Sequence, residues 1–588
     1  MSETKTRRSA KRQFGQYMTP PALARRLLAD VVVTQDTRVL EPSFGDGSFI
    51  ILLIEIFLPL YQGSVAERLD RILTRNVFGV EIDPALYHAC LDAILHKWKY
   101  LPPHHNLVCA DYFCHTFYEA DRAKTRLRSP AVCERPLSFD LIVGNPPFGG
   151  TIDPALQDEL DKRYGFRHGE KIKKETYAFF VVKCLDELKQ GGQLRFICSD
   201  TFMTIRTMRG LRRLLMEDCA VRVQQLKTFS DETAYPMALL ELERTGRSQL
   251  ITVDGQMVTR EAMELTGNFS WTISDETEQY FSGPTLGDLV ICSSGMTIGK
   301  NELFLREIVE HHVVEPYDFV FKEEPITVEG ELRRARLHTL SRSALAKAHA
   351  QEAAGATRRV VSLTTKAQPA HIRLPHPDYR FYNKAASAIF YAEPTHAIFW
   401  RDEGDAVLTF KKSGNWYLHG VGGQPYFGRE GLTWQLISSR LNARYLPEGY
   451  ILDSGAPCAF LKREVDASEL LFILGWLNTD LCSRLLKTVI NHTKNIQSKD
   501  VERLPYPFWV PDDTKEQAIQ VTRTLVEAAM RDKPPTRAHP ELAQLESFYA
   551  WCEPTLQDNH VVSLRRRQGI PPVLRKQPQE AQLALWGD

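Results

Sequence analysis

The stretch Phe139-Asp140-Leu141-Ile142-Val143-Gly144-Asn145-Pro146-Pro147-Phe148 runs a strand of apolar, largely β-branched residues into an amide, two prolines and an aromatic ring. Proline has no N–H to give to a ladder, so the strand must stop at Asn145 and the chain must turn at its carboxyl end. In open α/β sheets that is where ligands bind. Taken alone, the turn could equally be a proline-rich β-turn closed by a packing Phe148. Upstream, Val39 to Phe49 (VLEPSFGDGSF) sets Gly45 and Gly47 between a strand and an apolar helix. Glycine there admits φ > 0 and lets a ligand approach the backbone beside a helix amino terminus. Val77 to Pro84 (VFGVEIDP) ends a second strand in Glu81, a carboxylate able to accept both hydroxyls of a ribose diol, although a cap or an ion pair would also use it. Val108 to Phe113 (VCADYF) ends a third strand in Asp111, suitably placed for an adenine amino group. Three strand ends carrying loop, acid and acid in succession point to a nucleoside-bearing ligand.

Positioning these groups requires alternating strands and helices. Short β-branched runs and amphipathic stretches alternate from helix 20–29 and strand 38–40 through helix 47–60, strand 77–80, helix 84–98 and strands 106–109 and 139–143. Helix 176–188, strand 193–199, helix 209–217 and late strands at 221–226 and 237–242 follow. That order predicts a doubly wound sheet. Beyond Thr245 the rhythm is lost among Gly, Pro, His and aromatic residues. The basic, Ala-rich segment 332–359 is expected to be helical or partly exposed, 466–489 helical, and the chain from Asp512 helical with a polar tail.

The length of 588 residues calls for two to four domains. Lys plus Arg equals Asp plus Glu at 73 each, so no global basic field attracts nucleic acid and any such contact must be local. The 11 cysteines include no C-x-x-C pair, which argues against a zinc knuckle or a disulfide framework and for reduced thiols, hence a cytoplasmic protein that binds no metal. The longest apolar run, Phe49 to Leu60, is broken by Glu55 and too short to span a bilayer, so no membrane association is expected.

The motifs together resemble the gamma-class, TaqI-like DNA adenine-N6 methyltransferases of restriction-modification systems. GQYMTP at Gly15 to Pro20, LEPSFGDGSF at Leu40 to Phe49, GVEIDP at Gly79 to Pro84, ADYF at Ala110 to Phe113 and GNPPF at Gly144 to Phe148 occur in the family's order. The resemblance implies S-adenosyl-L-methionine as cofactor. Tyr17, Thr19, Glu41 and Gly45 would lie at its methionine end, Glu81 would bind its ribose hydroxyls and Asp111 its adenine, with Gly47, Ile82, Tyr112 and Asn145 as further cofactor contacts. Asn145, Pro146, Pro147 and Phe148 would be the catalytic turn. An adenine amino group is a poor nucleophile; acceptors at the Asn145 amide oxygen and the Pro146 carbonyl would turn its lone pair outward, on a turn that the prolines stiffen. Phe148 would stack on the base, with Phe229 on its other face, once the base has left the duplex. The helical insertion between Gly47 and Val77 departs from the family pattern and is expected to stay on the outer face.

The same resemblance implies a Rossmann-like class I methyltransferase domain over 1–245, a mixed α+β target-recognition domain over 246–510, and a helical segment with polar tail over 511–588. Leu286 to Asn301 and Asn495 to Pro507 resemble the opening and closing of the recognition domain. Lys300, Arg333, Arg429, Trp434 and Lys494 are the candidate contacts to double-stranded DNA; for any single cation a solvated surface is the plainer account. Few residues precede Gln16 and no paired-acid nuclease motif follows, so a methyltransferase is expected, partnered by a separate restriction endonuclease or other phage-defence protein. The Asn-Pro-Pro turn also serves enzymes that methylate protein glutamine amides, and related turns serve RNA methylation. A non-catalytic DNA-binding subunit is a further alternative.

Overall fold

The structure is a computed structural model. It describes residues 19–118, 136–148, 154–226, 236–298, 301–309, 318–328, 331–339, 359–364, 379–408, 411–412, 415–416, 423–531 and 535–552, with only the backbone at 302–303, 306–364 and 411–416. The chain divides into two compact units, Met1–Ser274 and Asp275–Asp588.

The first unit is built on one nine-stranded sheet. Its strands are β1 (Val39–Glu41), β2 (Val77–Glu81), β3 (Asn106–Cys109), β4 (Phe139–Gly144), β5 (Leu188–Ser199), β6 (Ala220–Leu226), β7 (Met237–Glu243), β8 (Leu250–Val253) and β9 (Gln256–Thr259). They lie in the order β9-β8-β6-β7-β5-β4-β1-β2-β3. β1 through β5 are parallel, and β7 enters antiparallel between β5 and β6. Helices α1 (Pro21–Leu28), α2 (Ser48–Phe57), α3 (Val65–Arg71), α4 (Pro84–Trp98), α5 (Pro154–Tyr164), α6 (Thr176–Glu187) and α7 (Arg209–Asp218) connect or flank the strands. The doubly wound architecture expected from the alternation is the one observed. α2 shows why: Phe49, Ile50, Leu53, Ile54 and Phe57 form one helical stripe and all are buried. At roughly 1.5–3 kcal/mol per buried side chain that stripe contributes on the order of 10 kcal/mol.

Two boundaries differ from the sequence expectation. The first unit does not end at 245: β8 and β9 extend the sheet, and residues 266–271 are clamped onto α7. The clamp is Arg212, fully buried, whose guanidinium donates to the carbonyls of Phe269 (2.7 Å) and Asn268 (2.7 Å) as well as Ile205 (3.0 Å). Trp271, also fully buried, packs edge-on against Phe202. The helices Asp512–Arg531 and Pro540–Phe548 likewise form no separate segment. Lys515 pairs with Glu469 on the helix Glu469–Leu477, and the Trp509 indole donates to the Tyr549 carbonyl (3.1 Å).

The second unit is mixed α+β. A four-stranded antiparallel sheet orders Val290–Ser293, Cys458–Leu461, Gly431–Trp434 and Ala443–Leu446, and a seven-stranded sheet runs from Arg359–Thr364 to Tyr450–Leu452. The start of the segment 332–359, expected to be helical or partly exposed, lies in a strand, Glu331–Thr339, between Asp318–Val328 and Leu305–Val309. Its alternation of Arg334, Arg336 and His338 with Ala335, Leu337 and Thr339 has the strand period of two. Residues 340–358 and the tail 553–588 lie outside the described residues. Among the described residues no single helix is long and apolar enough to cross a membrane.

Candidate active site

Strand order reverses between β1 and β4, which opens a crevice at their carboxyl ends. The glycine loop leaves β1 on one side of it. Gly45 and Gly47 both take positive φ, 57° and 86°. A Cβ on Gly47 would lie 2.3 Å from the Cys90 Sγ of α4, so both backbone and packing require glycine there. Glu81, at the end of β2, holds this loop shut: its carboxylate accepts the Gly45 N–H (2.7 Å) and the Asp83 N–H (2.8 Å). The Ile82 N–H also donates to this carboxylate. Burial pushes the Glu81 pKa up against these bonds.

Glu41, the last residue of β1, is 2% exposed. Its carboxylate accepts the Ile50 N–H at the start of α2, while its Oε2 is buried without a hydrogen-bond partner. Burial, then the charges of Glu81 and Asp46, raise its carboxyl well above the usual range. The Ser43 Oγ is a second buried polar atom in the loop that lacks a partner. A cradle with a solitary acid and a solitary hydroxyl fits a ligand bringing a cation and a hydrogen-bonding group.

At the end of β3 the Asp111 carboxylate accepts the Phe113 N–H (2.9 Å) and caps a 3-10 turn, Tyr112–Cys114. Tyr112, expected to touch the cofactor, instead turns into the core. Its ring stacks on Phe180, and its hydroxyl donates to Glu187 (2.6 Å) beside Cys184 (3.2 Å). Lys183, 2% exposed, donates to the carbonyls of Tyr112 (2.5 Å) and His115 (2.6 Å) and pairs with Glu187 (3.3 Å). Sequence reasoning missed this strut, although a lone lysine in the apolar run TYAFFVVKCL was a visible signal. Ile82 is exposed beside Glu81 and offers an apolar surface at the rim.

The Asn145 turn leaves β4 on the other side of the crevice. Gly144 brings it against the glycine loop, since a Cβ there would lie 3.5 Å from the Pro42 Cδ and 3.8 Å from the Glu41 Cγ. The Asn145 Nδ2 donates to the Thr19 Oγ1 (3.2 Å), which fixes the end of the amide that serves as acceptor. Thr19, expected beside a cofactor, thus also ties the segment before α1 to this turn. Pro146 and Phe148 are buried, and Phe148 keeps only 7% of its surface exposed. Glu41, Gly45, Gly47, Glu81, Asp111 and Asn145 therefore converge on one sheet edge.

Tyr17, Phe229 and Lys300 lie outside the described residues, and Arg333 is described only as backbone in the strand Glu331–Thr339. Arg429 is exposed, with its guanidinium over the rings of Tyr426 and Phe460. Lys494 is exposed. Trp434, expected to face DNA, is fully buried instead; its indole donates to the Ile496 carbonyl (3.1 Å), and its ring belongs to the core of the second unit. Among the described residues no group of His, Cys, Asp and Glu has a metal-binding arrangement.

The chain is 25% identical over 281 residues to the type II methyltransferase M.BstVI of Geobacillus stearothermophilus, covering 44% of this chain and 47% of that one. It is 26% identical over 300 residues to M.TthHB8I of Thermus thermophilus, covering 47% and 58%. The chain thus spans about half the length of these curated relatives. The fold is similar to that of the type IIL restriction-modification enzyme MmeI, solved in complex with DNA: TM-score 0.52 at 11% identity, covering 95% of this chain and 77% of the other. Residues 75–234, which carry Glu81, Asp111 and the Asn145 turn, match the model of the Eco57I restriction-modification methylase.

Proposed function

We propose that the protein is a site-specific DNA methyltransferase of a restriction-modification or phage-defence system, acting on the N6 amino group of a flipped-out adenine with S-adenosyl-L-methionine. One observation carries this reading: the Asn145-Pro146-Pro147-Phe148 turn stands at the topological switch point against a glycine loop whose Glu41 Oε2 lacks a partner. Bound there, S-adenosyl-L-methionine would supply an electrophilic methyl group on a sulfonium. Glu41 and the Ser43 hydroxyl would hold its methionine end, Glu81 its ribose, with Ile82 beside it, and Asp111 its adenine.

The remaining chemistry belongs to the chain's own residues. The Asn145 amide oxygen and the Pro146 carbonyl accept the two N–H bonds of the target amino group and turn its lone pair toward the methyl donor. Thr19 holds the amide in that orientation. The prolines keep the acceptors from relaxing, which is the preorganisation such a site needs. Phe148 supplies the stacking face, and because it is nearly buried a base reaches it only as the turn's surroundings open. The second unit is the proposed DNA-reading part, with Arg429 and Lys494 exposed to contact phosphates.

The deciding assay offers duplex DNA, RNA and protein together with methyl-labelled cofactor. Label in DNA adenine supports the reading, and label in RNA or protein with none in DNA overturns it. Asn145→Ala is expected to keep cofactor affinity within about twofold and to lower the methylation rate by about 100-fold or more, the scale of losing a transition-state acceptor. Methylation at the wild-type rate by that variant would sink the mechanism.

A further inference from the structure

The second unit buries a guanidinium without an acid to balance it. Arg444 lies on the strand Ala443–Leu446, opposite Thr433 of Gly431–Trp434, and is 4% exposed. Its Nη2 donates to the Lys384 carbonyl (3.1 Å), while its Nε is buried and has no acceptor. Among the described residues no carboxylate lies within ion-pairing distance of it; its titratable neighbours are the Cys458 thiol and the Tyr450 and Tyr391 hydroxyls. The nearby Lys384 ammonium is already balanced by Asp453 at 2.8 Å. Burial lowers the Arg444 pKa to about 10, which still leaves the group charged at neutral pH.

An unbalanced buried charge destabilises a fold, and an apolar side chain of similar volume removes that cost. A structural role alone therefore explains Arg444 poorly. Beside it opens a cavity of about 20 Å³, lined by Lys384, Glu393, Thr395, Thr433, Arg444 and Tyr445. That is room for one oxygen atom of a ligand whose remaining atoms stay at the mouth. Glu393 also lines the wall but is not among the charges that act on Arg444, whose guanidinium is the cation on this side of the cavity without an acid partner among the described residues.

We propose that this cavity receives one non-bridging oxygen of a phosphate group, taken by the Arg444 Nε–H, with the rest of the phosphate at the mouth near Thr395 and Tyr445. Given the function proposed above, on which this inference rests, the phosphate is one of the DNA backbone. Arg444 is then an anchor that fixes the register of the duplex without reading its sequence. Its charge is buried at the expense of stability because the anion completes it.

The test compares wild type, Arg444→Met and Arg444→Lys in the full chain. Duplex binding is followed by fluorescence anisotropy across a salt series, and melting with and without inorganic phosphate at constant ionic strength. Arg444→Met is expected to bind all duplexes about fivefold more weakly at 0.15 M salt, with the slope of log K against log salt smaller by about one. Its melting temperature without phosphate should equal or exceed that of wild type. Phosphate should raise the melting temperature of wild type and leave that of Arg444→Met unchanged. Arg444→Lys should keep the salt slope and lose part of the affinity, because an ammonium lacks the fixed fork.

A fall in the melting temperature of Arg444→Met with no change in salt slope or phosphate response overturns the proposal and makes Arg444 a structural strut. Should that variant not fold, absence of any phosphate response in wild type overturns it equally. Wild type that binds no duplex but shows the Arg444-dependent phosphate response would refute the DNA reading and leave the oxyanion pocket standing.

Discussion

Glu41 commits one oxygen to the start of α2 and leaves the other buried and alone, so its carboxyl is held protonated above the ordinary value of 4.5. A carboxyl whose pKa is raised by folding stabilises the fold fully below its ordinary value. That contribution is lost as pH rises through the raised value. A cation bound beside it favours the deprotonated form and expels the proton. If the methionine end of the cofactor lies there, affinity rises with pH in the window above 4.5. Calorimetry in buffers of different ionisation heat should register the proton released, and Glu41→Gln should flatten both effects. An affinity independent of pH in wild type would place no cation beside Glu41. The VLEPSFGDGSF pattern makes the loop legible, but an acid at the end of a strand reads the same whether it faces solvent or is sealed. Glu41 is perturbed by its burial and then by the charges of Glu81 and Asp46, and Glu81 comes from β2, a separate part of the chain.

Helix α6 holds the Asp111 turn in place. It lies against the turn that presents Asp111, and Lys183 joins the two through the carbonyls of Tyr112 and His115. Replacing Lys183 by Met leaves those carbonyls and Glu187 without their cation, an expected loss of about 3–5 kcal/mol in urea unfolding. Cofactor affinity should fall with it, because the Asp111 turn loses its support. Full affinity at reduced stability would confine Lys183 to holding the fold. Periodicity identified α6 almost to the residue, as it did α2 and α4, since an apolar stripe facing a sheet writes itself into the spacing. It could not distinguish a snorkelling lysine from a buried one, which depends on what covers the helix.

On the scale of the whole molecule the decisive difference is where the first unit ends. A cut after Thr245 removes Asn268, Phe269 and Trp271, stripping Arg212 of two carbonyl acceptors and the core of an indole. A fragment ending at Ser274 is expected to melt cooperatively by circular dichroism. One ending at Thr245 should lose about 3–5 kcal/mol or fail to fold. Equal melting of the two would show that the clamp contributes nothing. The sequence expectation placed the boundary where the βα rhythm stops. Rhythm reports strands and helices, whereas β8, β9 and the residues after them join the unit through a buried arginine and an edge extension that follow no period.

What the sequence determined by itself is the run of strand ends at one sheet edge. The glycine loop, Glu81, Asp111 and the Asn-Pro-Pro turn each carry local backbone chemistry, and right-handed crossovers in a parallel sheet leave few ways to arrange them. Tertiary structure alone decided which of these side chains face the crevice and which the core. Tyr112 and Trp434 were expected to meet ligands and are packed inside. Arg444, which no spacing marks, sits uncompensated beside a cavity. Burial and charge balance are set by contacts between residues distant in the chain, and those exist only once the elements have docked.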